Sequence, residues 1–359
     1  MNPALARSRA FCDSLGLRLP VFLGPMAGAC PPALSVAVAE AGGLGSCGAL
    51  PMTPAQMKEW ASAVRAGTDQ PFQINLWVPD PAPRRDPAQE ARVRHFLSAS
   101  WSPEVPPEAG DALPHPFEPQ CEAILDIAPA AASSVMGLFP ESFVAQLKAK
   151  KIPWIATVST VAEARQAAAA GADALIVQGA EAGGHRASFD PAPPRAEREL
   201  VGLFALLPAV ADAVRLPLVA AGGIADGRGI AAALTLGASA VQIGTGFLRS
   251  PEAGIISSWA DALALTPPEG TVVSRVFSGR AGRSLVTDYV KAAISDLGPT
   301  PAPYPVQRAL TAAMRKTGEA ANDFHRVQAW AGQSAALAQA EPAGQIVRRI
   351  WGEAETLLS

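Results

Sequence analysis

Basic residues hold no majority in this 359-residue chain: 29 lysines and arginines stand against 32 acidic residues, for a net charge of −3. No positive field is present to draw nucleic acid or an anionic membrane, so small molecules are the expected partners. Cysteine is scarce as well. Cys12, Cys30, Cys47 and Cys121 are widely spaced and form no CxxC pair, which argues against structural zinc; no metal site is expected. The first residues lack the basic start and apolar core of a signal peptide, and a reducing cytoplasm is the expected location. Long apolar runs are missing too, since each is broken by Gly, Pro or charge, and no membrane span is expected. Only four histidines and two tyrosines are available for chemistry.

What the chain has is alternation. Short apolar runs at 20–24, 44–48, 72–77, 132–138, 153–158, 173–179, 217–223 and 240–246 read as eight strands. Ala-rich stretches of helical period separate them, such as "TPAQMKEWASAVRA" and "DGRGIAAALTLG", several opening on Thr or Asp or with Pro in the first turn. Strands this uniformly apolar are buried on both faces, as in a parallel sheet of βαβ units. Eight of them in alternation predict an α/β fold, a TIM (β/α)8 barrel.

Two stretches interrupt the rhythm. Residues 79–120 are rich in Pro and charge and predict an excursion after the third strand, with one helix near 87–99 and another from 117. Beyond 251 the strand pattern fades. The expected division is a barrel over 1–250 and a mainly helical extension over 251–359 that packs across the barrel mouth.

In such a barrel the chemistry sits at the carboxyl ends of the strands. Strands seven and eight end in "AAGGIADGRG" and "QIGTGF", where Gly222, Gly223, Gly244 and Thr245 offer backbone N–H donors to a phosphate without any lysine. The alternative is a pair of tight turns. Asn75 and Gln178 are amides at otherwise apolar strand ends, where they require a partner, either a ligand or nearby loop backbone. After strand six comes "QGAEAGGHR", which places His185 behind two glycines at the barrel mouth.

These segments, with "GPMAG" (24–28), "RVFSGRAGR" (275–283) and "WAGQSAAL" (330–337), resemble in order the FMN-dependent nitronate monooxygenases, formerly called 2-nitropropane dioxygenases. The resemblance implies that Asn75, Gln178, Gly183, Gly223, Gln242, Ile243, Gly244 and Thr245 contact FMN, with Gly184 and Gly222 in the same turns. Met26, Ala27 and Gly28 would lie beside the isoalloxazine. The histidine of "EAGGH" is the family's catalytic base, which puts His185 in that role. An imidazole that titrates near neutral pH suits removal of the acidic proton beside a nitro group. Flavin and dioxygen would then convert the nitronate to a carbonyl compound and nitrite.

The chain departs from the family pattern at Ala187, where Gly is usual. It also departs at Val135 and Met136, which make a softer wall than the aromatic or His residues of relatives. Tyr304 and Met136 are the candidate substrate contacts. No lysine lies between Tyr304 and Lys316, which points to simple alkyl or bulkier apolar substrates rather than small carboxylated nitronates. Arg280 and Arg283 read either as attractors of an anionic nitronate or as solvated or ion-paired groups. Glu181 reads as an acid or as a brace for the His185 loop, and Cys47 as a thiol nucleophile or a buried filler. His95, His115 and His325 have no catalytic context.

The alternative within the same superfamily is an FMN-dependent NAD(P)H reductase of the enoyl-acyl-carrier-protein or quinone type. An isomerase of phosphorylated sugars would need Lys, Asp or Glu at the strand ends, which are missing, and a non-catalytic flavin binder would not need His185. A homodimer is compatible with barrels of this kind, although no stretch of sequence marks an interface.

Overall fold

Strand β1 (Val21–Leu23) begins a ring continued by β2 (Gly45–Gly48), β3 (Phe72–Trp77), β4 (Ala131–Val135), β5 (Trp154–Val158) and β6 (Ala174–Gln178). After the short β7 (Gly184–His185), the seventh and eighth ring strands are β8 (Leu218–Ala221) and β9 (Ala240–Ile243). The computed structural model describes residues 2–190 and 192–359. The ring order is β1-β9-β8-β6-β5-β4-β3-β2, with every pairing parallel. Leu23 N–H donates to the Leu44 carbonyl and Leu44 N–H to that of Val21, both at 2.9 Å, and this brings β1 against β2. The chain is a (β/α)8 barrel, with strands where the apolar runs predict them.

The helices start where their caps dictate. Thr53 and Gln56 form a reciprocal capping box ahead of helix Pro54–Gly67, and Thr160 with Glu163 forms another ahead of Val161–Ala169. Asp226 accepts from Gly229 N–H and opens helix Gly227–Thr235. Inside the ring, Phe22, Ile155, Ile176 and Val219 pack in one cluster with Phe11 and Leu15 from helix Pro3–Leu15. That helix covers the amino-terminal end of the barrel.

The helix at Pro87–Ser100 and the tail share a core of their own, in which Val93 and Leu97 meet Phe277, Tyr289 and Leu310. The two interruptions of the barrel rhythm therefore pack together. The sequence reading has no strand beyond 251, but the structure has a hairpin there, β10 (Thr271–Ser274) with β11 (Gly282–Leu285), and β11 pairs antiparallel with β7. Four-residue strands are too short to declare a period. The last helix, Ala343–Leu358, packs between helices Pro32–Glu40 and Gly227–Thr235. It takes the eighth place in the helical ring, so the segment that leaves the ring after β9 returns to it at 343.

Candidate active site

One cavity of about 430 Å³ opens at the carboxyl ends of the ring strands, a volume in the range of small-molecule sites. Gly222 and Gly223 line it with φ of +110° and +71°, a region closed to most side chains. A Cβ on Gly222 would lie 2.9 Å from Ala182 N, and one on Gly24 would lie 3.0 Å from the Gly244 Cα. The backbone is therefore bare where the loops after β8 and β9 meet. The N–H groups of Gly222, Gly223 and Gly244 make no hydrogen bond among the described residues. Thr245 opens a short 3-10 turn beside them, and its Oγ1 accepts from Gly332 N–H at 3.0 Å, tying the "WAGQ" loop to the cradle.

On the same cavity, His185 is held by several independent contacts. β7 lies in register with β11, Gly282 opposite His185, and Arg186 N–H donates to the Ala281 carbonyl at 2.9 Å. The Gln178 amide clamps the loop from beneath: Nε2 donates to the His185 carbonyl at 3.0 Å and Oε1 accepts from Ala187 N–H at 2.9 Å. The imidazole lies edge-on to Trp77 at 4.7 Å and to Trp330 at 4.8 Å. Its Nε2 is 2.7 Å from Ser278 Oγ.

Burial, followed by the positive charges of Arg280, Arg308 and Arg315, pushes the His185 pKa down to about 3. Where the sequence suggests titration near neutrality, burial and the neighbouring cations favour the neutral ring, which lines the cavity. Arg308 and Arg315 themselves line the cavity. Burial and Arg308 lower the pKa of Arg315 to about 10, which leaves it charged at neutral pH. A search for lysine alone overlooks these two cations.

Met26, Ala27, Gly28, Asn75, Met136, Gly183, Gly184, Gln242 and Thr245 all line this cavity. Asn75 Nδ2 also donates to Ser133 Oγ at 3.1 Å, and Gln242 Oε1 accepts from Gln73 at 3.3 Å, so both amides keep spare valences. Ile243 does not line it; its side chain is in the core between barrel and helices. Tyr304 sits one layer behind, stacked on Trp77 at 4.8 Å with 12° between the rings. Arg280 and Arg283 are neither solvated nor in the cavity. Arg280 pairs with Asp80 at 3.6 Å and donates to the Ser188 carbonyl, and Arg283 donates to the Ala180 carbonyl. Glu181 accepts from Leu203 N–H at a helix start, and Cys47 is buried with its thiol pKa pushed up by burial. His95 and His115 are exposed, and His325 pairs with Asp288. Ser278 and Trp330 fall in segments that carry the family resemblance, but neither they nor Trp77 receive a role from the sequence, because nothing local in a chain says which tryptophans or serines will face a histidine.

Backbone donors for an anion and a neutral imidazole, open to one enclosed space, are what a (β/α)8 enzyme of small molecules requires. Comparison with known proteins makes this specific. The family model described as nitronate monooxygenase matches residues 9–353. A nitronate monooxygenase of Paraburkholderia phytofirmans is 38% identical over 95% of this chain and 94% of its own length, and one of Pseudomonas aeruginosa is 37% identical over 95% and 97%. Among solved structures, the nitroalkane oxidase of Streptomyces ansochromogenes superposes with a TM-score of 0.84 at 34% identity, covering 98% of this chain and 100% of that one. FabK from Thermotoga maritima gives 0.74 at 27%, over 97% and 96%. The chain belongs to the nitronate monooxygenase family, a family of flavin-dependent oxidoreductases. No helix among the described residues is long and apolar enough to cross a membrane.

Proposed function

We propose that this chain oxidises nitronates, and nitroalkanes by way of their nitronates, with dioxygen on a bound FMN, yielding a carbonyl compound and nitrite. The observation that carries the reading is the single cavity shared by the glycine cradle, His185 and the two arginines. The cradle fits a phosphate: its donors are bare N–H groups, and a Cβ on Gly222 would run into Ala182 N. Gly222, Gly223, Gly244 and Thr245 would hold the FMN phosphate, with Met26, Ala27 and Gly28 beside the ring and Asn75, Gln178 and Gln242 offering amides to its polar edge. FMN would supply the redox chemistry between nitronate and dioxygen.

The residues of the chain do the rest. Arg308 and Arg315 draw an anionic nitronate into the cavity. With a neutral nitroalkane, the imidazole of His185 takes the proton from the carbon beside the nitro group, and the electron pair of that C–H bond becomes the nitronate. A base whose pKa is lowered by burial and then by the arginine charges is weak in the empty site, but the nitronate forms beside it and offsets the arginines' share of that depression. Trp77 and Trp330 confine the ring and exclude water from its faces.

The test is oxygen uptake and nitrite release by FMN-loaded protein given an alkyl nitronate without NADH or NADPH. Uptake with nitrite is the expected result. No uptake, with flavin bleached anaerobically by NADH or NADPH, would move the assignment to a reductase, the reading that the likeness to FabK favours.

A further inference from the structure

We propose that Ser278 is a positioning residue that fixes His185 as the Nε2–H tautomer and leaves Nδ1 as the atom that receives the substrate proton. The inference rests on His185 being the base, and it adds which nitrogen acts and what sets it.

Ser278 Oγ is fully buried and has three neighbours. The Arg280 carbonyl oxygen, at 3.1 Å, can only accept, and the Arg280 N–H, at 3.3 Å, can only donate. The third neighbour is His185 Nε2 at 2.7 Å, which can do either, depending on the tautomer. A hydroxyl has one proton to give. The Arg280 carbonyl has no other donor among the described residues, so leaving it without the Ser278 proton would bury an unsatisfied acceptor.

With that proton on the carbonyl, Oγ is free to accept from the Arg280 N–H and from Nε2–H, and every valence of the hydroxyl is used. The opposite arrangement leaves the carbonyl without a donor and puts a proton on Nδ1, which has no acceptor among the described residues. Satisfaction of buried groups therefore selects Nε2–H. Nδ1 then carries the lone pair, unengaged, on a ring that lines the cavity.

The proton balance follows. The substrate C–H bond breaks and its electron pair stays on the substrate as nitronate. The proton is bound by Nδ1, and the imidazolium keeps Nε2–H bonded to Ser278 Oγ. No proton passes on to Ser278, whose own hydrogen stays on the Arg280 carbonyl. The serine is an anchor and not a relay, and its removal frees the ring to turn between Trp77 and Trp330.

The experiment combines nitrogen-15 NMR of histidine-labelled protein, with His185 assigned by its loss in His185→Asn, and kinetics of Ser278→Ala. The expected spectrum has a protonated Nε2 and an unprotonated Nδ1 in the wild type; the reverse pattern overturns the proposal. Ser278→Ala is expected to lower kcat/KM for a nitroalkane on the order of tenfold to a hundredfold, while that for a preformed nitronate and the flavin spectrum hold. Unchanged nitroalkane turnover overturns the positioning role. If His185→Asn leaves nitroalkane turnover intact while the spectrum still shows Nε2–H, the base reading fails and the tautomer assignment stands.

Discussion

Thr245 Oγ1 accepts from Gly332 N–H at 3.0 Å, joining the turn after β9 to a loop 87 residues further on. That bond ties the cradle to the wall that carries Trp330. Thr245→Val keeps the shape and removes the acceptor, leaving a buried N–H unpaired at a cost of about 1–3 kcal/mol. FMN retention should weaken on the order of tenfold, while Thr245→Ser should bind as the wild type does. Flavin fluorescence titration checks both; equal affinity in all three proteins would show that the tie does not support the cradle.

The adjacent glycines of the His185 loop are required for different reasons. A Cβ on Gly183 would sit 2.5 Å from Gly332 N and 2.7 Å from Ala331 C, whereas one on Gly184 would meet nothing within 4 Å, and only its φ of +77° resists substitution. Gly184→Ala is expected to cost about 1–2 kcal/mol, the ordinary penalty of the left-handed region. Gly183→Ala should cost more, because two backbones must part. Urea midpoints rank the two, and the reverse order would remove close approach as the reason for Gly183.

The ring strands were legible because burial on both faces leaves mostly apolar residues, and the cradle because close backbone approach favours glycine. His185 stood out through its place after β6. Helix Pro3–Leu15 had signals that were available and not used: Asn2 accepting from Ala4 N–H, Pro at the first position and the left-handed Gly16 at its end. Ser278 is another matter. Its hydroxyl reaches the imidazole across 93 residues of sequence, through a hairpin whose strands have four residues each. Trp77 likewise reads as the end of a buried strand, and only the folded chain turns its ring toward His185.

Arg308 and Arg315 place two cations on the cavity, where the absence of lysine had suggested none. Arg308→Met should raise KM for an anionic nitronate on the order of tenfold and change KM for a neutral nitroalkane little. Added salt should narrow the gap between wild type and variant, because a half-exposed cation is screened. Steady-state kinetics at two ionic strengths decide it; an equal rise for both substrates would mean that Arg308 shapes the cavity and does not attract charge.

His185→Asn removes the proposed base and keeps a polar side chain on the loop. Nitroalkane turnover should fall by roughly a hundredfold or more, the usual contribution of a positioned base. A preformed nitronate has already lost its proton and should be oxidised at close to the wild-type rate. Oxygen uptake with each substrate gives the comparison, and equal losses would remove His185 from the proton transfer.

The same residue should make stability depend on pH. An unfolded chain protonates His185 near 6.5, whereas the folded chain resists until about pH 3. Above 6.5 the ring is neutral in both states and contributes nothing to the pH dependence. As the pH falls below 6.5 the unfolded state binds a proton that the folded state refuses, so stability declines by up to about 1.4 kcal/mol per pH unit until the folded value is reached. His185→Asn lacks this term. Between pH 6.5 and 5 the wild type should therefore lose about 1.6 kcal/mol more than the variant in urea unfolding. Parallel pH profiles would mean that the imidazole titrates freely in the folded protein, and with that the neutral, buried base assigned to His185 would fall.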